Sequence, residues 1–415
     1  MDRRERVLLI ACQIKGENED RFYTSLEELK QLTKTANGKV VDVVVQKRDR
    51  IHRAYYIGEG KLNEIKAQLE HEQFDLVILN DEVSPGQLRN IANLLDARVI
   101  DRTQLILDIF AGRAKTREGK LQVELAQMQY LLPRIHGQGT EMSRLGAGIG
   151  TRGPGETKLE TDRRHIRRRI TEIKHQLETV VNQRNQYRKR RKENKAFQIA
   201  IVGYTNAGKS TLFNKLTNSE SLEENQLFAT LDPLTRQVKL ENGFQAIITD
   251  TVGFIQDLPT TLVAAFRSTL EEVTEADFIL HVVDGSNEDF PLHEKTVYEL
   301  IEELGADHLP MLTVYNKSDR FRADFIPNSY PFITMSAFDS KDIHRLLKKI
   351  EDVVKGEWKY YQMTLPVYDG NLLNRIKNHT IVESETFIPE TEDFTLTGYV
   401  DPNHPIYQHY INKEQ

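Results

Sequence analysis

FQIAIVGYTNAGKST, residues 197–211, runs from a stretch of buried-type residues, Phe197 to Val202, straight into a glycine-bearing loop and then into the helical pattern Leu212–Leu216. Strand, loop and helix in that order, with GxxxxGKS across the loop, is the pattern of a P-loop. The residue types follow from the chemistry. Gly203 and Gly208 let the backbone wrap phosphates with N–H donors, with Tyr204, Thr205, Asn206 and Ala207 between them, and the helix opening at Lys209, Ser210 and Thr211 adds positive potential. Lys209 is placed for the β- and γ-phosphates, and the Ser210 hydroxyl for Mg²⁺. The stretch predicts an α/β nucleotide-binding domain.

Three further motifs follow in order. Asp250-Thr251-Val252-Gly253 comes after the strand Ala246–Thr249, where an aspartate holds the metal through water and a glycine N–H faces the γ-phosphate. Asn316-Lys317-Ser318-Asp319 ends the buried strand Met311–Tyr315. A carboxylate at Asp319 accepts two hydrogen bonds from the N1–H and N2–H₂ edge of guanine, which adenine lacks. Ser336-Ala337, with Phe338 beside them, follows Phe332–Met335 and would turn a backbone N–H toward the guanine O6.

This set, GxxxxGKS, DxxG, NKxD and SA, resembles the Ras-like GTPase domain of the translation-factor class. The resemblance implies that switch I gives a threonine to Mg²⁺. Phe228-Ala229-Thr230-Leu231-Asp232 looks like the switch of Obg-related GTPases and favours Thr230, with Thr235 in reserve. Lys209, Thr230 and Gly253 are then the catalytic set. One departure bears on mechanism. Phe254 follows DxxG where Ras-type GTPases carry a water-orienting glutamine, and a phenyl ring cannot orient water by hydrogen bonding. Slow intrinsic hydrolysis is expected, with help from a partner surface, another residue or a bound K⁺ ion.

Outside this domain the charge is unevenly spread. The 415 residues carry a net charge of −6, yet Gly112 to Lys195 holds 21 Lys and Arg against 9 Asp and Glu, a balance of +12 that leaves −18 for the other 331. Runs such as Arg167-Arg168-Arg169 and Arg188-Lys189-Arg190-Arg191-Lys192 exceed what solubility requires and suit a polyanion such as RNA. A single cysteine, Cys12, excludes an internal disulfide, and the apolar run Val7–Cys12 is too short for a signal peptide or a membrane span. A cytoplasmic chain is expected.

The sequence divides into four parts. Residues 1–111 alternate apolar runs with helical patterns and predict a mostly parallel α/β domain. Within it, Ile57-Gly58-Glu59-Gly60-Lys61 reads as a turn before a helix. Residues 112–195 carry two a/d stripes, Leu121, Leu125, Met128 and Leu132, then Leu159 through Tyr187. They predict an antiparallel hairpin whose second helix, about 156–194, is roughly 58 Å long. Its tip, residues 137–155, holds seven glycines in nineteen residues, far beyond the ~2–8 that joining two helices requires. The GTPase domain takes 196–357 and a small α/β domain 358–415.

Taken with the tip sequence GTRGPGETKLETDRRHI, residues 150–166, and with YTNAGKST, FATLDP and DTVGFI, the whole chain resembles the bacterial HflX GTPases. That resemblance implies a factor that binds the large ribosomal subunit, splits stalled or hibernating ribosomes in its GTP form, and is stimulated by the ribosome. It also implies Mg²⁺ with GTP or GDP, a monomer when free, and rRNA contacts from Arg144, Arg152, Arg163, Arg164, Arg167, Arg168, Arg188 and Arg190. Relatives credited with ATP binding or RNA unwinding use the N-terminal region, where no second P-loop stands here. The competing readings are a helicase-like NTPase, which Asp319 disfavours, and a GTPase switch docking a protein or membrane.

Overall fold

The computed structural model describes residues 4–135, 154–193, 196–217, 227–256 and 271–411. They form two compact units, the first holding the described residues up to Asn182 with Leu227, Phe228 and Gln256, the second the rest. Arg144, Arg152 and nearly all of the expected tip loop lie outside the described residues.

In the first unit, β1 (Glu5–Ile14), α1 (Glu19–Thr35), β2 (Gly38–Arg48), α2 (Glu59–His71), β3 (Leu76–Leu79), α3 (Pro85–Leu95), β4 (Val99–Asp101) and α4 (Arg102–Arg113) alternate along the chain. The sheet order is β2-β1-β3-β4 and every pairing is parallel. All four residues of β3 are buried, the pattern of a strand covered on both faces. Helix starts are set locally. Asn18 accepts the Asp20 and Arg21 N–H groups, and Ser84 with Gln87 closes a capping box ahead of Pro85. Gly58 is the N-cap of α2, the turn expected there.

α5 (Arg117–Leu131) packs on α4 rather than offering the expected stripe. Its buried residues are Gly119, Leu121, Val123, Ala126 and Tyr130, whereas Leu125, Met128 and Leu132 are only half-buried. Polar anchoring explains the rotation. The Tyr130 hydroxyl donates to Asp101 Oδ1 at 2.8 Å and Arg134 donates to the Val83 carbonyl and Asp101, so the helix is fixed by its far end. α6 (Pro154–Glu193) is 40 residues long, about 60 Å, and the boundary between the units falls within it. Among its described side chains up to that boundary Ile173 is the fully buried apolar one, and Arg169 makes a bidentate pair with Glu124 at 2.6 and 3.0 Å. Arg164, Arg167 and Arg168 are exposed and Arg163 is half-buried.

The second unit contains β5 (Phe197–Val202), α7 (Lys209–Thr217), β6 (Leu234–Lys239), β7 (Gln245–Asp250), β8 (Phe278–Asp284), α8 (Phe290–Glu303), β9 (Met311–Asn316), β10 (Phe332–Thr334) and α9 (Ser340–Glu357). Its sheet runs β10-β9-β8-β5-β7-β6, and β6 alone is antiparallel. Register places Ile201 beside Asp250 and Asp284 beside Asn316, so the motif residues gather at the carboxyl ends of neighbouring strands. Ligands of open parallel sheets bind at that edge. A three-stranded antiparallel sheet follows, β11 (Lys359–Pro366), β12 (Ile381–Ile388) and β13 (Asp393–Val400) with β13 central, beside α10 (Gly370–His379). Tyr361, Met363 and Leu365 alternate inward on β11 against Ile376, Leu396 and Val400. No helix among the described residues is long and apolar enough to cross a membrane.

Candidate nucleotide-binding site

β5 stops at Val202 and the chain turns through Gly203 (φ 152°) and Gly208 (φ 94°) before α7 begins. Neither glycine admits a side chain, because the Val282 carbonyl stands where a Cβ on Gly203 would go and Asn316 Nδ2 where one on Gly208 would go. The loop is tied from behind by the NKxD segment. Asn316 Nδ2 donates to the Ala207 carbonyl at 2.9 Å, Asn316 Oδ1 accepts the Ala337 N–H at 3.0 Å, and Lys317 Nζ donates to the Asn206 carbonyl at 2.9 Å. The same ammonium pairs with Asp284 at 2.7 Å. Asp284 escaped the reading of the sequence; the signal available was an acid closing the apolar strand Phe278–Val283.

Ser210, Thr230 and Asp250 converge. Ser210 Oγ lies 2.8 Å from Thr230 Oγ1, and both hydroxyls donate to Asp250 Oδ2, at 2.8 and 2.7 Å. Asp250 is fully buried, yet its Oδ1 has no hydrogen-bond partner among the described residues. A buried carboxylate oxygen left unpaired beside two hydroxyls fits a hard cation held through hydroxyl and water oxygens, as Mg²⁺ is in phosphate sites. Thr235, the alternative threonine, instead lies on β6 with Oγ1 3.0 Å from Thr249 Oγ1.

Lys209 is buried and donates to the Tyr204 carbonyl at 2.8 Å. Burial pushes its ammonium down to about 8, against the pull of Asp250, while burial raises the Asp250 carboxyl against the pull of Lys209. Each is the other's counter-charge.

The DxxG segment lies against the loop. Thr205 N–H donates to the Phe254 carbonyl at 2.8 Å and Phe254 N–H to the Gly203 carbonyl at 3.2 Å. The Phe254 ring is buried with Tyr204, Val273, Ile279 and Val297. Thr251 donates to the Ile201 carbonyl at 2.6 Å and Val252 is buried. A Cβ built on Gly253 would meet Thr205 Cγ2 at 2.8 Å, Thr205 Cα at 2.9 Å and Lys209 Nζ at 3.0 Å, so only glycine fits.

At the far end, Asp319 stays half-exposed, and a hydrogen bond from the Ser336 side chain holds its carboxyl below the usual range. Ser318 N–H donates to the Met335 carbonyl, which joins this loop to β10. Phe338 is 70% exposed beside them.

Two predicted residues are not brought to the cluster by their side chains. Tyr204 turns its ring to stack on His293, centroids 3.8 Å apart and planes 9° from parallel. Phe228 belongs to the first unit, where its buried ring meets Phe110 edge-on at 4.7 Å and the neighbouring Leu227 N–H donates to Thr35 Oγ1. An apolar ring gains more from that burial than from facing phosphate. Ala229, Leu231 and Asp232 flank Thr230, with Leu231 buried. Arg188 and Arg190 lie on the final turns of α6.

Three family models match: a GTP-binding GTPase N-terminal domain over residues 23–111, a GTP-binding GTPase middle region over 113–191, and a 50S ribosome-binding GTPase over 198–317. Similar proteins include the GTPase HflX of Alkalihalophilus pseudofirmus, 54% identical over 404 residues, 97% of this chain and 95% of that one. The GTPase HflX of Caldanaerobacter subterraneus subsp. tengcongensis is 47% identical over 92% and 89% of the two chains. The GTPase HflX of Escherichia coli is 40% identical over 88% of each.

Proposed function

The chain belongs to the HflX family of GTPases, and from that premise we propose that it binds and hydrolyses GTP and, as a cytoplasmic factor of the large ribosomal subunit, separates stalled or hibernating ribosomes. The observation that carries the nucleotide reading is the cluster of Ser210, Thr230 and Asp250 with its unpaired carboxylate oxygen. Mg²⁺, held there by the two hydroxyls and by Asp250 through water, would neutralise charge on the phosphates. Lys209 binds the β- and γ-phosphates, Gly253 turns its N–H to the γ-phosphate, Asn316 keeps the loop in shape, and Asp319 reads guanine.

The γ-phosphate would then order Thr230 and Gly253 together, which makes the domain a switch. Splitting follows only if the GTP form binds one ribosome state better than another. The basic segment 112–195 supplies the sequence-independent attraction, through Arg163, Arg164, Arg167, Arg168, Arg188 and Arg190, with Arg144 and Arg152 on the tip segment. The four-part division, 1–111, 112–195, 196–357 and 358–415, belongs to this proposal. With Phe254 withdrawn into apolar packing, hydrolysis by the free monomer is slow, and the ribosome, another residue or K⁺ supplies what is missing.

Cosedimentation tests this. The chain loaded with a non-hydrolysable GTP analogue pellets with large subunits at moderate salt. Deleting Gly137–Gly155 leaves GDP affinity unchanged and abolishes splitting. Failure to pellet, or pelleting equally with anionic vesicles, overturns the ribosomal reading.

A further inference from the structure

Thr205 sits on the loop at the point where the two backbone bonds to Phe254 close DxxG onto it. It is 7% exposed, and its Oγ1 is buried with no hydrogen-bond partner among the described residues. Leaving a hydroxyl buried and unpaired is unfavourable, so such a group in a binding loop is expected to meet a polar ligand. Two other atoms of the residue, its methyl carbon and its Cα, show where it lies. The point where a Cβ on Gly253 would stand is met by Thr205 Cγ2, Thr205 Cα and Lys209 Nζ, all within 3.0 Å. Thr205 therefore shares one small volume with the lysine of the P-loop and the glycine of DxxG. The side chain that follows that glycine, Phe254, is packed among Tyr204, Val273 and Val297 and offers no polar atom.

We propose that Thr205 is a catalytic residue of GTP hydrolysis: its hydroxyl accepts a hydrogen bond from the attacking water and donates one to a γ-phosphate oxygen. In the step itself the water oxygen bonds to the γ-phosphorus while the bond to the β,γ-bridging oxygen breaks. The electron pair of that bond leaves with GDP, and the water's two protons end on the released phosphate, one still on the attacking oxygen and one on a neighbouring oxygen. Thr205 gains and loses no proton. It orients the water and takes charge as the bond forms, the kind of contact that acts on the transition state more than on the bound substrate. The inference rests on the assignment of GTP hydrolysis to this site and not on the ribosomal partner.

The test is GTP turnover by the full chain without ribosomes, beside the affinities for a fluorescent GDP analogue and a non-hydrolysable GTP analogue. Thr205→Val keeps the shape and removes the hydroxyl; it lowers kcat roughly tenfold or more while KM and both affinities stay within about threefold. Thr205→Ser keeps the hydroxyl and stays within about threefold of the unmodified chain in every value. Thr205→Val turning over at the unmodified rate overturns the proposal alone. So does Thr205→Ser as slow as Thr205→Val with normal binding. Loss of GDP binding by both Thr205→Val and Thr205→Ala assigns the residue to building the loop and overturns it too. An unmodified chain that turns over no GTP overturns the underlying reading with it.

Discussion

Replacing Asn316 by alanine removes the side chain that joins three of the four motifs. Its Nδ2 donates to the Ala207 carbonyl of the P-loop and its Oδ1 accepts the Ala337 N–H that follows β10. Asn316, Ala207 and Ala337 are all buried, at 3%, 1% and 3% exposure, so water cannot take over either bond without opening the loop. Two buried backbone groups left unpaired cost about 1–3 kcal/mol each, together about 2–6 kcal/mol of the ~5–15 kcal/mol typical of a domain. The assay is urea unfolding of the nucleotide-free chain. Trp358, the single tryptophan, meets Phe197 and Phe244 edge-on at 5.6 and 5.4 Å and reports the packing of this core. At about 2–3 kcal/mol per molar urea, the midpoint falls by roughly 0.7–3 M. Asn316→Asp keeps an acceptor for Ala337 but sets a buried carboxylate oxygen against the Ala207 carbonyl, so it falls at least as far. GDP affinity drops in the same order. An Asn316→Ala midpoint within about 0.3 M of the unmodified one, with normal GDP binding, would refute the claim that this side chain holds the loop.

Other outcomes follow from single residues. Asp319→Asn exchanges an acceptor for a donor facing the base; losing two bonds to a charged group shifts preference from GTP toward XTP by about 10²–10⁴, and an unchanged ratio in competitive binding contradicts the role given to Asp319. Burial holds His281 down to about 3 and His293 down to about 4, from 6.5. Between pH 6.5 and 4 the unfolded chain therefore binds protons that the folded chain does not, and stability falls as pH falls, by up to about 2.7 kcal/mol per unit for the pair. His281→Gln and His293→Phe each flatten the urea-midpoint-versus-pH curve, and a curve that stays flat in the unmodified chain contradicts both assignments. Cys12 is 4% exposed, and burial followed by the nearby Asp81 pushes its thiol from 9.0 up to about 11. At pH 8 its thiolate is then about a hundredfold scarcer than in the unfolded chain, so iodoacetamide labels it only with denaturant present; rapid labelling of the native chain contradicts that burial.

How much could be read beforehand depended on how locally each feature is determined. The strand Phe197–Val202 and the loop after it were legible because a buried run, two glycines and a helix start lie consecutively. β3 was legible for the same reason, four apolar residues with both faces covered. The convergence of Ser210 with Asp250, forty residues apart, depends on the β5–β7 register, which ordered motifs imply and a lone DxxG does not. The buried face of α5 was misread because its rotation is set at a distance, by Tyr130 and Arg134 reaching Asp101. The second half of β12 was not legible, since Ser384, Glu385 and Thr386 are exposed on an edge strand and leave no alternation to see. Phe228 was grouped with the switch on motif alone. Nothing in its neighbours indicates that its ring belongs with Phe110.

On the proposed function the chain is a GTPase whose turnover is stimulated by the large ribosomal subunit, and the most direct test is GTP turnover with and without purified large ribosomal subunits. The free chain turns over slowly, well below one GTP per second, and saturating large subunits raise kcat by roughly tenfold or more. Equal rates with and without subunits, or several turnovers per second by the chain alone, would contradict it.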